Sequence, residues 1–348
     1  MVFFLERIKH VSTLCHIFGA GFRCYDSKKA FLLYWTLYIG IVFFNILAYY
    51  RGIIRISVVF VNRLDIMSII NVICIHIRIL TPLVMVCSKL LADNEVLIST
   101  IRSIDDLIPT LQNTSLFSYA WYFYCWIILH VITEVSQLFF FWSAVNFKYI
   151  NCVDAILGTI LNVVICIPIV QYNMIMLLIG RGIREINNDI TSIRKWKPYR
   201  AKWKELKNKA QHITHYVYNM SIVIFVIYTM SDIFCFGYTF TVLVDYNKKK
   251  LIICFFITFF MRLGFCVELF RVANICKYEI LRTQSILNDV KMNSILDLKE
   301  VQYTSLYMLH SDFNLMPCGC FNLSFRTLLT ILGMAIACLA YQIQIKIG

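Results

Sequence analysis

Acidic residues are scarce in this 348-residue chain. Asp and Glu number 20 against 33 Lys and Arg, and all charged residues together make up only 15%. Soluble domains carry about 25% charged and about 45–50% apolar residues. Here 59% are hydrophobic and the mean hydropathy is +0.70. That excess excludes a water-soluble globule and requires lipid as solvent. Proline is also rare, at five residues, which excludes a proline-rich linker. No internal repeat or low-complexity tract appears, so the repeated halves common in transporters are not expected. The sequence lacks GxSxG, HExxH, Walker A and a strand–helix GxGxxG. The enzyme classes built on those spacings are therefore excluded, and neither enzymatic activity nor a cofactor is expected.

Cysteine is not lacking, at 14 residues, but most lie in apolar runs, where the side chain behaves as a small hydrophobe. Cys318/Cys320 and Cys235/Cys254 do not have zinc-type spacing, and no metal site is expected. Residues 1–29 show no long apolar core followed by a small-residue cleavage site, so the first spanning helix is expected to act as the insertion signal.

Long apolar runs are abundant. Seven reach the ~20 residues that cross about 30 Å of hydrocarbon: Ala30–Tyr50, Ile66–Cys87, Tyr119–Trp142, Val153–Ile179, Val217–Val244, Leu251–Phe270 and Ser324–Ile345. The expected fold is all-α, a polytopic membrane protein with seven transmembrane helices. Pro82 and Pro168 fall inside spans, where neighbouring helices can satisfy the freed carbonyl. Lys and Arg fix the expected orientation. Of the 33, 22 lie on the side holding the N-terminus, 8 on the other and 3 within spans. The positive-inside rule puts the N-terminus in the cytoplasm and the C-terminus outside. It also accounts for the net charge of +13 without nucleic acid. The sequons at Asn113, Asn219 and Asn322 fall on the inner side and are expected to stay unglycosylated.

The inner connections are the longer ones and have helical periodicity. Leu97, Ile101, Ile104, Ile108 and Leu111 form one stripe, and Ile183, Ile186, Ile190 and Ile193 a second. Ile280, Leu287, Val290, Leu298, Val301 and Leu309 form a third. Such amphipathic stripes either lie on the bilayer or pack together below it. The mixed charges of the third favour packing into a cytosolic helical anchor.

Ionisable residues inside spans cost roughly 2.5–3.5 kcal/mol each at the bilayer centre and usually face a cavity or a partner. This chain places His76 and Arg78 in span two, His130 and Glu134 in span three, Asp232 in span five, and Arg262 and Glu268 in span six. With the N-terminus inside, Glu134, Gln137, Asn162, Asp232 and Tyr238 gather in the outer half, near Trp142. An aromatic cavity with a few convergent polar groups is the usual form of a small-ligand site. The candidate ligand residues are Glu134, Gln137, Trp142, Asn162, Asp232, Tyr238 and His76. The alternative is mutual neutralisation, as between Glu134 and Arg262. His130 and Glu134 share a helix face, but two ligands do not complete a metal shell.

Two stretches carry a family likeness. Met176 to Ile190, MLLIGRGIREINNDI, places Asn187 or Asn188 at the end of an apolar run. HSDFNLMPCGCFNLSFRTLLTIL, from His310, places Gly319 and Phe321 in a turn before the last helix. Both resemble the insect gustatory receptor family, related to insect odorant receptors, and the likeness spans essentially the whole length. One departure stands in the last helix. Ala340 takes the place of the family's Thr before Tyr341, and Ile347 and Gly348 occupy its Gln-Phe positions.

The resemblance implies a ligand-gated, non-selective cation channel in the plasma membrane of gustatory neuron dendrites. Four subunits, identical or mixed with other gustatory receptor subunits, would surround one pore within membrane lipid. It implies a cytosolic segment at 1–29 and spans with a ligand pocket over 30–275. An anchor segment would follow at 276–322 and the pore-lining helix at 323–348. A non-conducting or obligate co-receptor subunit, or an odorant receptor, is the alternative. The apolar outer halves favour a bitter or otherwise apolar small-molecule tastant. At about 100° per residue, Tyr341, Gln344, Ile345 and Gly348 share one face of the last helix, and Gln342 and Lys346 another. Four Lys346 ammonium groups on the axis would repel cations, so the first face is the expected pore lining.

Overall fold

A computed structural model gives the fold. It describes residues 66–91, 116–144, 152–190, 193–245, 249–289, 295–310 and 313–347, parts of 32–50, and residues 15 and 99. Every regular element among them is helical: α1 (Tyr38–Leu47), α2 (Ile66–Leu91), α3 (Leu116–Ala144), α4 (Cys152–Asp189), α5 (Ile193–His212), α6 (Asn219–Asp245), α7 (Lys249–Asp289), α8 (Ile295–His310) and α9 (Phe325–Ile347). The amphipathic stripe at Leu97–Leu111 lies outside the described residues.

Composition decides which helices sit at the centre. An 18-residue stretch of α4 within Asn162–Asp189 is strongly apolar, and 94% of it is buried inside the subunit. A helix apolar all round is a core helix. Around it, α3 and α7 pack on α4, α2 packs on α6, and α9 packs on α6. Among the described residues, Asn162–Asp189, Asn219–Gly237 and Phe325–Gln342 are long and apolar enough to cross a membrane.

The helices α4 and α7 have 38 and 41 residues, which makes them about 57 and 62 Å long at 1.5 Å per residue. Both exceed the ~30 Å hydrocarbon slab, so each runs well beyond it. Their extensions pack with α5 and α8 into a module below the bundle. The amphipathic α5 turns Trp196, Trp203, Leu206 and Ala210 inward, all buried. Burying an indole requires a partner for its N–H. Trp203 donates to Thr283 Oγ1 at 3.0 Å and Trp196 to Thr304 Oγ1 at 3.3 Å. Lys204 Nζ lies 3.9 Å above the Tyr307 ring, and Arg200 sits 5.6 Å over Tyr303. These cation–π contacts hold α5 to α8.

The stripes at Ile183, Ile186 and Ile190 and at Ile280 and Leu287 are buried, as is Val301, whereas Leu298 is 41% exposed. Leu298 and Val301 lie on a separate helix, α8, which turns Val301 rather than Leu298 inward. Cys276 is buried in the same region, and burial, with Glu279 nearby, pushes its thiol up to about 12. Tyr199 is raised by its hydrogen bond to Asp189.

A single π-helical turn, Ile213–Val217, joins α5 to α6, and Tyr218 N–H reaches back to the Ile213 carbonyl at 3.0 Å. The widened turn brings Tyr218 into the core. There its hydroxyl donates to Gln171 at 2.7 Å, and its ring packs 5.5 Å from Tyr172. The turn before α9 is tight. Cys318 and Gly319 have φ of 51° and 67°, a left-handed conformation that glycine adopts at no cost and cysteine does not. Leu323 N–H bonds Leu315 O at 2.9 Å, closing the turn, and Phe321 stacks on Phe270 of α7. Ser324 then caps α9 through Thr327 N–H at 3.3 Å.

Candidate functional site: a buried polar network and the last helix

Arg262 of α7 is 7% exposed and bridges two carboxylates. Its Nη2 donates to Glu134 Oε1 of α3 at 2.7 Å, and its Nη1 donates to Asp232 Oδ1 of α6. Arg78 of α2 reaches the same Asp232 oxygen at 2.9 Å through Nε. Asn162 of α4 donates to Glu134 Oε2 at 2.7 Å, and Tyr228 Oη of α6 donates to Asn162 Oδ1 at 3.0 Å. The Arg262 guanidinium also lies 5.8 Å from the Tyr228 ring centroid. His130, one turn before Glu134, sits 3.5 Å from Cys166 Sγ and edge-on to Phe265.

Five helices thus meet through two cations, two anions and the Asn162 amide, and the formal charge sums to zero. Isolated charges would not persist at this burial. Mutual pairing with extra hydrogen bonds is what makes them tolerable. The network is not fully closed: Arg262 Nε and His130 Nδ1 are buried without a partner among the described residues. A site that holds paired charges and open polar valences can exchange an internal hydrogen bond for one to a small guest.

A family model described as "7tm Chemosensory receptor" matches residues 12–348. The chain belongs to this family. Its helices also superpose on solved structures of the insect olfactory receptor OR5 from Machilis hrabei. The first superposes with a TM-score of 0.65 at 12% identity over 98% of each chain. The structure of OR5 in complex with eugenol gives 0.50 at 12% identity, again over 98% of each chain. Among curated proteins no sequence matches. At this identity the likeness establishes a shared all-helical, seven-transmembrane fold.

Of the residues expected at the ligand site, the receptor brings three together: Glu134, Asn162 and Asp232. His76 stands apart on α2, half-buried, with Nδ1–H donating to the Val72 carbonyl at 2.8 Å. Gln137, Trp142 and Tyr238 lie on α3 and α6, but their side chains fall outside the described residues. Sequence reasoning paired Arg262 with Glu134 by charge but gave Arg78 no partner. It missed Tyr228 altogether, although Tyr228 lies four residues before Asp232 and therefore on the same helix face.

The last helix has two faces. Leu328, Ile331, Ala335 and Gln342 are buried toward the bundle. Gln342 Nε2 donates to the Phe234 carbonyl of α6 at 3.3 Å. Gly237 permits this approach, since a Cβ there would collide with Gln342 Oε1 and Leu339. The opposite face carries Leu329, Ile336 and Tyr341, exposed by 68, 67 and 61%. Gln344 is exposed as well. The Ile345 side chain and Gly348 lie outside the described residues.

Proposed function

We propose that the receptor is a gustatory one, a subunit of a tastant-gated, non-selective cation channel in the plasma membrane of chemosensory neurons. The tastant sits in the outer part of the bundle formed by α2, α3, α4, α6 and α7. Four copies of α9 line the pore, with the N-terminus inside and the C-terminus outside. The observation that carries this reading is the bare face of α9. Only 22% of its apolar stretch is buried within one subunit, against 94% for α4. In a monomer that face would meet lipid only, yet it ends in Tyr341 and Gln344, which suit water better than acyl chains. A ring of four such faces gives them water.

The ligand class follows from the bundle. Phe265 sits edge-on to His130, and Phe236, four residues after Asp232, stacks at 4.4 Å on Phe259, three residues before Arg262. An aromatic pocket with few polar groups fits a small apolar ring bearing one or two hydrogen-bonding groups. Eugenol, which OR5 is described as binding, has that character and serves as a first probe. The receptor expressed alone should give inward cation current with eugenol or a bitter aromatic compound. Cysteines introduced at Tyr341 and Gln344 should become reactive to permeant thiol reagents while the ligand is present. Surface-expressed receptor that binds ligand without current would mark a co-receptor subunit instead. Ligand-dependent current that leaves these positions unreactive would remove α9 from the pore.

A further inference from the structure

Among the described residues, the helices α2 and α6 are joined by an ionic side-chain rung and by a second one of sulfur. The ionic rung is Arg78 to Asp232, with Nε and Oδ1 2.9 Å apart. One turn toward the N-terminus on α2 lies Cys74, and nearly one turn toward the C-terminus on α6 lies Cys235. Residues four apart and three apart share a helix face. For two helices packed antiparallel, the ionic rung therefore fixes a register that sets Cys74 opposite Cys235. The side chains meet as that register requires: the two thiols interact with each other, and the Arg78 guanidinium acts on Cys235. Both cysteines are free and buried, at 8 and 4% exposure. A plain packing role would ask only for small apolar atoms here. Two thiols in contact, with a cation beside one of them, form the arrangement in which sulfur reacts with sulfur.

We propose that Cys74 and Cys235 form a reversible disulfide switch across α2 and α6, closed by a small uncharged peroxide. The chemistry balances in two steps. The Cys235 sulfur attacks one peroxide oxygen and the O–O bond breaks, giving a sulfenic acid and water. The Cys74 sulfur then attacks the sulfenic sulfur, an S–S bond forms, and a second water leaves with the Cys74 proton. Two thiols are oxidised by two electrons and one hydrogen peroxide is reduced to two waters. A dithiol reductant reverses the bond by thiol–disulfide exchange. The closed bond fixes α2 to α6 beside the Arg78–Asp232 pair, so it restrains the helices that carry the polar network. The inference does not depend on conduction or on the identity of the tastant.

The test uses the full-length receptor in native membranes, treated with hydrogen peroxide, blocked with a maleimide and digested for mass spectrometry. A peptide linking Cys74 to Cys235 should appear after peroxide, disappear after dithiothreitol, and be absent from C74A. In C235A, Cys74 should remain a free, alkylated thiol. If peroxide leaves both thiols free and alkylated after unfolding, or links either to a different cysteine, the switch does not exist. The wild-type digest alone decides the matter if either variant fails to fold.

Discussion

Asn187 of α4 donates its amide to the main-chain carbonyl of Glu279 on α7 at 2.9 Å. Its own carbonyl accepts from Thr283 at 2.7 Å, and Thr283 accepts from Trp203 at 3.0 Å. The Glu279 carboxylate is held in turn by Arg184 Nε at 2.7 Å. One buried amide therefore clamps three helices below the bundle. The neighbouring Asn188 is exposed.

Asn187→Ala should destabilise the receptor by about 1–3 kcal/mol, the cost of stranding buried hydrogen-bonding groups. Asn188→Ala should be nearly silent. Thermal unfolding of detergent-solubilised receptor, followed by size-exclusion fluorescence, would read both. Equal shifts for the two variants would refute the clamp.

Arg262→Met removes one cation from a network with two anions. The expected loss is about 3–5 kcal/mol, because Glu134 and part of Asp232 are left uncompensated. Adding Glu134→Gln to that variant should restore much of the stability, since it removes the stranded charge. The measurement is surface expression with thermal stability across the set of single and double variants. A double variant no better than R262M would separate Arg262 from Glu134 energetically.

Gln342 and Gln344 should behave differently although only two residues separate them. Gln342→Ala loses the bond to Phe234 and should lower stability by about 1 kcal/mol. Gly237→Val, which drives a side chain into Gln342, should act in the same direction and more strongly. Gln344→Glu should leave assembly unchanged and alter cation conductance. Single-channel recording beside thermal-shift assays would reveal a reversed pattern.

Cysteine labelling tests the proposed orientation. Cys318 and Cys320 are exposed in the turn before α9, whereas Cys276 is buried and its thiol is pushed up to about 12. A membrane-impermeant maleimide should modify Cys318 and Cys320 only when applied from the cytoplasmic side. Cys276 should resist it in the folded receptor. Labelling of the turn from outside would invert the topology.

The seven-helix character was legible because burying backbone in lipid leaves few options, and long apolar runs declare it. The packing below the bundle was partly legible from Ile183, Ile186 and Ile190, which keep one helical phase. Leu298 was not, because it lies on α8, a helix separate from the α7 that carries Ile280 and Leu287, and helical phase does not carry over from one helix to another. In the bundle, Glu134 and Arg262 could be recognised as potential partners from charge alone. That Asp232 would share Arg262 with Glu134, and that Asn162 and Tyr228 would complete the chain of bonds, depends on the relative rotation of four helices. Sequence spacing says nothing about rotation between segments far apart in the chain.

The sequence by itself determined the solvent, the helical class and the residue types that must find partners in an apolar medium. It also placed Gln342 and Gln344 on different faces of the last helix, since helical phase is a local property. Tertiary structure decided which face is packed. Gly237 lacks a side chain at the point where α6 meets α9, so Gln342 closes against Phe234 and the Tyr341–Gln344 face is left bare. It likewise chose Asn187 over Asn188 as the clamp. Both choices rest on the close approach of surfaces distant in sequence, which only the folded packing brings about.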